Sequence, residues 1–184
     1  MGRRIESLED PAFGALFTGF LHTAYRFEQM QAYDVGYENL SFRRFLDGEP
    51  TSDLAQDEWT GMVRDAVHAG KTFQRVHLVS EPLTDYLRYE MGIWYPLNTG
   101  AGEDIRILPT PLPGVSLPEW DYWLFDSRQL WIMEYDGAGR FLGTEEVTDP
   151  GQIVKHAYWR DAALHHAMRF SEYAERAAQR QRAS

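Results

Sequence analysis

Residues 73–109, "FQRVHLVSEPLTDYLRYEMGIWYPLNTGAGEDIRILP", decide the fold class. The first eight place Val76 and Leu78 on one face of an extended segment, with Arg75, His77 and Val79 on the other, so they read as a strand. Residues 80–98 follow as a helix, with Ser80 or Glu81 as its cap and Pro82 at its first position. Leu83, Tyr86, Leu87, Glu90 and Ile93 define its faces, and Pro96, Gly100 and Gly102 end it. "EDIRILP", 103–109, is the next strand. Strand, helix and strand in that order predict a parallel, right-handed βαβ crossover.

Upstream, "DEWTGMVRDAVHAGK" (57–71) carries Trp59, Met62, Val63, Ala66 and Val67 on one helical stripe, with Gly70 at its end. "TAYRFEQMQAY" (23–33) reads as a strand, because Tyr25 and Phe27 alternate with polar residues. "YENLSFRRFLDGEP" (37–50) is a short helix or turn, and Ser7 caps a first helix bearing Phe13, Leu16, Phe17 and Phe20. Downstream of the Pro-rich 108–118 come "DYWLFD", "LWIMEYD" and "GRFLGTEEV", an antiparallel meander broken at Asp126-Ser127 and 136–139. Asp149 and Pro150 open a long C-terminal helix whose polar, basic end frays from about Arg176. The expectation is one α/β domain over residues 1–184, with a mixed, α+β-type sheet: a βαβ crossover, a meander and a long C-terminal helix.

Composition bounds the function. The 184 residues are 43% hydrophobic, 25% charged and 14% aromatic, with a formal net charge of -10. That charge disfavours direct contact with nucleic acid and with anionic membranes. No run approaches the roughly 18 apolar residues of a membrane span. There is no cysteine, so neither disulfides nor thiolate metal sites are available. The start "MGRRIESLEDP" lacks the apolar core of a secretory signal, so a cytoplasmic location is expected.

Among chemical constellations, the turn after the first crossover strand is the first candidate. Free N–H groups there favour a ligand cleft built from Ser80, Glu81, Asp85 and Arg88, with Asp121 and Arg160 as further polar contributors. The plainer reading is that Ser80, Glu81 and Asp85 serve the helix start. His77 lacks triad partners, and the adjacent His165 and His166 diverge on a helix, so no metal and no cofactor are expected. The glycines of "NTGAGEDIR" match neither phosphate-binding pattern and form a turn. Tyr86, Tyr89, Trp94 and Tyr95 cannot all occupy one apolar face of a helix. They are therefore candidate anchors for a protein partner, or else they pack beneath the Pro-rich loop.

In "SLPEWDYWLFDSRQLWIMEYD" (116–136), the spacing Glu119-x-Asp121-x4-Asp126 resembles the His-x-Lys-x4-Asp frame of phospholipase D enzymes. In that frame His attacks phosphorus, Lys binds the phosphoryl oxygens and Asp supports. The order of elements is similar too, and the resemblance implies a degenerate phospholipase D-like fold. With carboxylates at the first two positions, such a site repels phosphate. Asp126 is expected to begin a turn.

"VHLVSEPLTDYLRYEM", "NTGAGEDIRILP", "DYWLFDS" and "YWRDAALHHA" together resemble an actinobacterial family known as a domain of unknown function. The likeness runs from about Tyr25 to Tyr173. It implies a regulatory or partner-binding role beside helix-turn-helix regulators, and no catalytic residue. The expected function is thus a non-catalytic module that binds a protein partner or a small ligand. The alternative is an enzyme acting on a small polar metabolite through the carboxylate and arginine cleft.

Overall fold

A computed structural model of the chain describes residues 2–50 and 58–183. In chain order the elements are β1 (Arg4–Ile5), α1 (Pro11–Gly19), β2 (Thr23–Glu28), a 3-10 turn (Gly36–Glu38), α2 (Asn39–Leu46) and α3 (Glu58–His68). β3 (Thr72–Val79), α4 (Asp85–Tyr89), a π-helical turn (Glu90–Trp94), α5 (Tyr95–Ala101) and β4 (Asp104–Pro109) form the crossover. β5 (Asp121–Phe125), β6 (Gln129–Tyr135) and β7 (Phe141–Val147) form the meander, followed by α6 (Pro150–His166), β8 (Met168–Arg169) and α7 (Phe170–Ala183).

The eight strands of the described residues join one mixed sheet in the order β1-β7-β6-β5-β2-β3-β4-β8. β3 and β4 run parallel as direct neighbours, and β5, β6 and β7 pair antiparallel, as the sequence predicts; β2 adds a third parallel strand beside β3. Type I′ geometry joins β5 to β6: Asp126 and Ser127 both have positive φ, and Arg128 N–H closes on the Phe125 carbonyl at 3.0 Å.

Helices cover both faces. Tyr25, Phe27, Val76, Tyr122 and Leu124 pack against α6 through Ala163, Ile153 and Leu164. On the opposite face Phe17, Val63, Phe73 and Trp123 form a core beneath α1 and α3. Val79, Leu87, Tyr95 and Ile107 form another beneath α4, α5 and α7.

Several boundaries differ from expectation for local reasons. Asp10, not Ser7, caps α1, accepting from Ala12 N–H, since Pro11 fixes the first helical position. Thr84, not Ser80 or Glu81, caps α4: its Oγ1 accepts from Leu87 N–H and donates to the Gln31 carbonyl. Pro96 does not end the helix, because the π-helical turn resets the ladder and Pro96 falls in the first turn of α5. Gly102, at φ 106°, is the left-handed C-cap that ends it. The long C-terminal helix starts at Asp149 and Pro150 as expected, but leaves helical geometry for β8, which pairs with β4, and resumes as α7. Among the described residues no helix is long and apolar enough to cross a membrane.

Candidate ligand cleft over a buried charge cluster

The polar residues that alternate along β2 and β3 do not face solvent. Arg26 and Glu28 on β2 and Arg75 and His77 on β3 share the helix-covered face, with Arg26 paired to Arg75 and Glu28 to His77 in register. All four are buried. Ladder neighbours in a parallel sheet stand about 5 Å apart, so two guanidiniums side by side need shared counter-charge. Glu28 supplies it: Oε1 accepts from Arg26 Nε at 3.1 Å, and both oxygens accept from Arg75 Nη1 at 3.0 Å. Asp121 accepts from Arg26 Nη2 at 2.9 Å, and Glu103 from Arg75 Nε at 2.8 Å. Burial alone would raise Glu28, yet Arg75 and Arg26 hold it down at about 2.

Tyrosines and His77 complete the network. Tyr135 OH meets Arg26 Nη2 at 3.0 Å, and Tyr33 OH donates to Asp121 at 2.5 Å. Nε2 of His77 lies 2.7 Å from the Met30 carbonyl, which can only accept, so Nε2 carries the proton. Nδ1 then accepts from Tyr95 OH at 2.6 Å. Burial lowers His77 below its ordinary value, and nearby Glu28 opposes that only in part, so this neutral form is the stable one.

Above the cluster, between α1 and α3 on one side and α4, the π-helical turn and α5 on the other, lies a cleft of about 650 Å³. Its walls carry Phe13, Phe17, Trp59, Tyr33, Tyr86, Trp94, Tyr95, Trp123 and Tyr135. Its charged residues are Arg26 and Arg75 against Glu28, Glu38, Glu58 and Glu90. Five lining residues hold buried polar atoms without a hydrogen-bond partner: Arg26 Nη1, Glu90 Oε2, Asn98 Oδ1 and the indole Nε1 of Trp59 and Trp94. Unpartnered buried polar groups each cost about 1–3 kcal/mol, so their gathering on one cleft marks it as a place for a polar occupant. Burial, reinforced by Glu28, raises Glu90 well above the ordinary carboxylate range.

The residues singled out from sequence scatter. Ser80 N–H donates to Gln31 Oε1 in the loop after β3. Glu81 is exposed and accepts from Tyr173 OH and Arg180 on α7. Asp85 and Arg88 pair with each other on the exposed side of α4. Arg160 binds Ser127 Oγ and Asp161 at the opposite end of the sheet, since Ser127 follows the end of β5 that pairs with the start of β2. Of the six, Asp121 alone joins the buried cluster. It is no edge residue, because β5 lies between β2 and β6.

The expected partner anchors are corrected. Tyr86, Tyr89 and Tyr95 are buried, and Trp94 is half-buried. They pack not beneath the Pro-rich loop but under α2, through Phe42 and Phe45, and against Tyr33, His77 and Phe170. The missed signal lay in β2 and β3. A central strand of a parallel crossover is covered on both faces, so Arg26, Glu28, Arg75 and His77 had to be buried.

Glu119, Asp121 and Asp126 do not converge. Glu119 is exposed, and its carbonyl accepts from Gln29 Nε2. Asp121 is locked by Arg26, Tyr33 and Gln29 N–H. Asp126, at the far end of β5, accepts from the backbone N–H groups of Leu21, His22 and Thr23 at 2.7–2.9 Å. These donors outweigh its slight burial and lower its pKa.

Comparisons agree with this architecture. The model of a family described as a domain of unknown function (DUF6879) matches residues 11–175. No curated protein sequence matches. Among solved structures, NucT from Helicobacter pylori is similar at 9% identity and a TM-score of 0.53, over 92% of this chain and 98% of that one. The phospholipase D family member Nuc from Salmonella typhimurium is similar at 8% identity and 0.54, over 92% and 97%. The chain has the phospholipase D-like fold.

Proposed function

We propose, for a chain that belongs to the DUF6879 family, that a phospholipase D-like scaffold has become a non-catalytic module that binds a small ligand in its aromatic cleft. One observation carries this reading: among the described residues, five that line the cleft carry a buried polar atom without a partner. The frame of phosphodiester chemistry supports it from the other side. Asp121 is bonded to Arg26 and Tyr33, Asp126 to backbone N–H groups, and Glu119 is exposed. The size falls within the roughly 300–1,000 Å³ of small-molecule sites.

α2 offers a route from ligand to protein partner. Phe42 and Phe45 pack on Tyr86 and Tyr89 beside the cleft, while Leu40 and Leu46 of the same helix are 72% and 52% exposed. A regulator of the helix-turn-helix kind, in the cytoplasm, is the partner this reading assigns to that surface.

The test is a thermal-shift screen of a fragment library on the protein and on Gly14→Leu. Gly14 lines the cleft, and a Cβ there meets no heavy atom within 4 Å, so a leucine adds bulk at the cleft wall without a clash at its Cβ. Binders that raise the melting temperature of the native chain and not of Gly14→Leu support the reading. A library with no binder sensitive to Gly14→Leu contradicts it.

A further inference from the structure

The charge inventory of the cleft narrows what it holds. Arg26 and Arg75 are already matched by Glu28, Asp121 and Glu103 at 2.8–3.1 Å. Glu90 stands outside that balance. It is 6% exposed, and its Oε2 has no hydrogen-bond partner. The closest imidazole nitrogen, His77 Nδ1 at 3.7 Å, is an acceptor already taken by Tyr95. Glu90 is the first residue of the π-helical turn, a distortion that costs helical regularity and recurs at functional sites. One turn either side of it stand Tyr86 and Trp94, both lining the cleft.

A buried carboxyl with aromatic side chains beside it on the same cleft is the arrangement that receives an organic cation. The carboxylate supplies the charge, the rings supply their negative faces, and water is excluded. A metal ion wants several oxygen ligands, whereas these walls are mostly carbon. A phosphate or carboxylate ligand would meet four carboxyl groups, Glu28, Glu38, Glu58 and Glu90, while the charges of Arg26 and Arg75 are already matched and Arg26 Nη1 is left as an unpartnered basic donor.

Resting on the ligand-binding reading above, we infer that the cleft takes a flat organic monocation, an aromatic amine or amidine, whose N–H donors engage Glu90. Its ring body lies against Tyr86 and Trp94. Because burial and the charge of Glu28 favour the protonated form of the carboxyl, a bound cation opposes them and draws the proton from Glu90. Affinity therefore rises with pH, and the binding heat depends on the ionisation heat of the buffer.

The probes are benzamidine, benzamide and benzoate, which share one shape and carry charges of plus one, zero and minus one. Calorimetry near neutral pH is expected to give benzamidine at least about ten-fold tighter binding than benzamide, and benzoate weaker than both. Glu90→Gln, isosteric with the protonated acid, is expected to fold and to reduce the preference for benzamidine to about two-fold or less. Gly14→Leu is expected to abolish binding of all three. Benzamide or benzoate binding as tightly as benzamidine, yet lost in Gly14→Leu, overturns the cation and leaves the ligand cleft standing. A preference for benzamidine that survives Glu90→Gln also overturns it, as does the failure of all three to bind.

Discussion

Arg26 and Arg75 stand side by side on neighbouring parallel strands, both buried, with Glu28 bonded to each. The pairing is tolerable only while that carboxylate is present, because two desolvated guanidiniums repel and neither can shed its proton. Glu28→Ala is expected to destabilise the fold by about 3–5 kcal/mol in urea or guanidinium unfolding. A change below about 1 kcal/mol would mean that water or a rearranged Asp121 replaces it.

Glu90 gives stability the opposite pH dependence from an ordinary carboxylate. Its folded pKa is raised by burial and by Glu28, so the stability it contributes is full below the usual carboxylate range and is lost as pH rises through the folded value. Glu90→Gln removes that loss. Its melting temperature is expected to gain on that of the native chain between about pH 5 and pH 9, the gain growing with pH. A constant difference across that range would show Glu90 to be titrating normally.

Tyr89 is a core residue. It is 0% exposed, packs on Phe42, Phe45 and Trp94, and its hydroxyl meets Ser41 Oγ. Tyr89→Ala is expected to cost about 3–5 kcal/mol of stability, and Tyr89→Phe about 1 kcal/mol for the hydrogen bond. A normal melting curve for Tyr89→Ala would return these rings to the surface.

Phosphodiester hydrolysis is expected to be absent. Purified protein should release no chromophore from a chromogenic phosphodiester above a buffer blank. Turnover that persists through purification and disappears in Asp121→Ala would establish an enzyme.

The fold was legible because its signals are local. The alternation in 73–79, the helical spacing in 59–67 and the positive-φ turn at Asp126-Ser127 each determine geometry within a few residues. β1 and β8 were not legible, since a two-residue strand has no period and exists only through its partners β7 and β4. The site was less legible still. Arg26, Glu28, Arg75 and Asp121 lie on three strands far apart in sequence, and only the register brings them together. Asp126 was foreseen as a turn former, but its bonds to Leu21, His22 and Thr23 cross more than a hundred residues of chain. Alternation reads β2 as a strand but does not show its polar side to be buried, because the helices that cover that side lie elsewhere in the sequence.

The indole N–H signals of Trp59, Trp94 and Trp120 test the central claim most directly. Trp59 and Trp94 line the cleft and have buried Nε1 atoms without a hydrogen-bond partner, whereas Trp120 Nε1 donates to His156 Nε2 at 3.1 Å against α6 on the far face of the sheet. Titrating benzamidine into nitrogen-15-labelled protein is expected to move the Trp59 and Trp94 indole resonances in a saturable way and to leave that of Trp120 in place. Saturable shifts confined to Trp120, or none at Trp59 and Trp94 with any cleft-sized fragment, would contradict a ligand-binding cleft on this face.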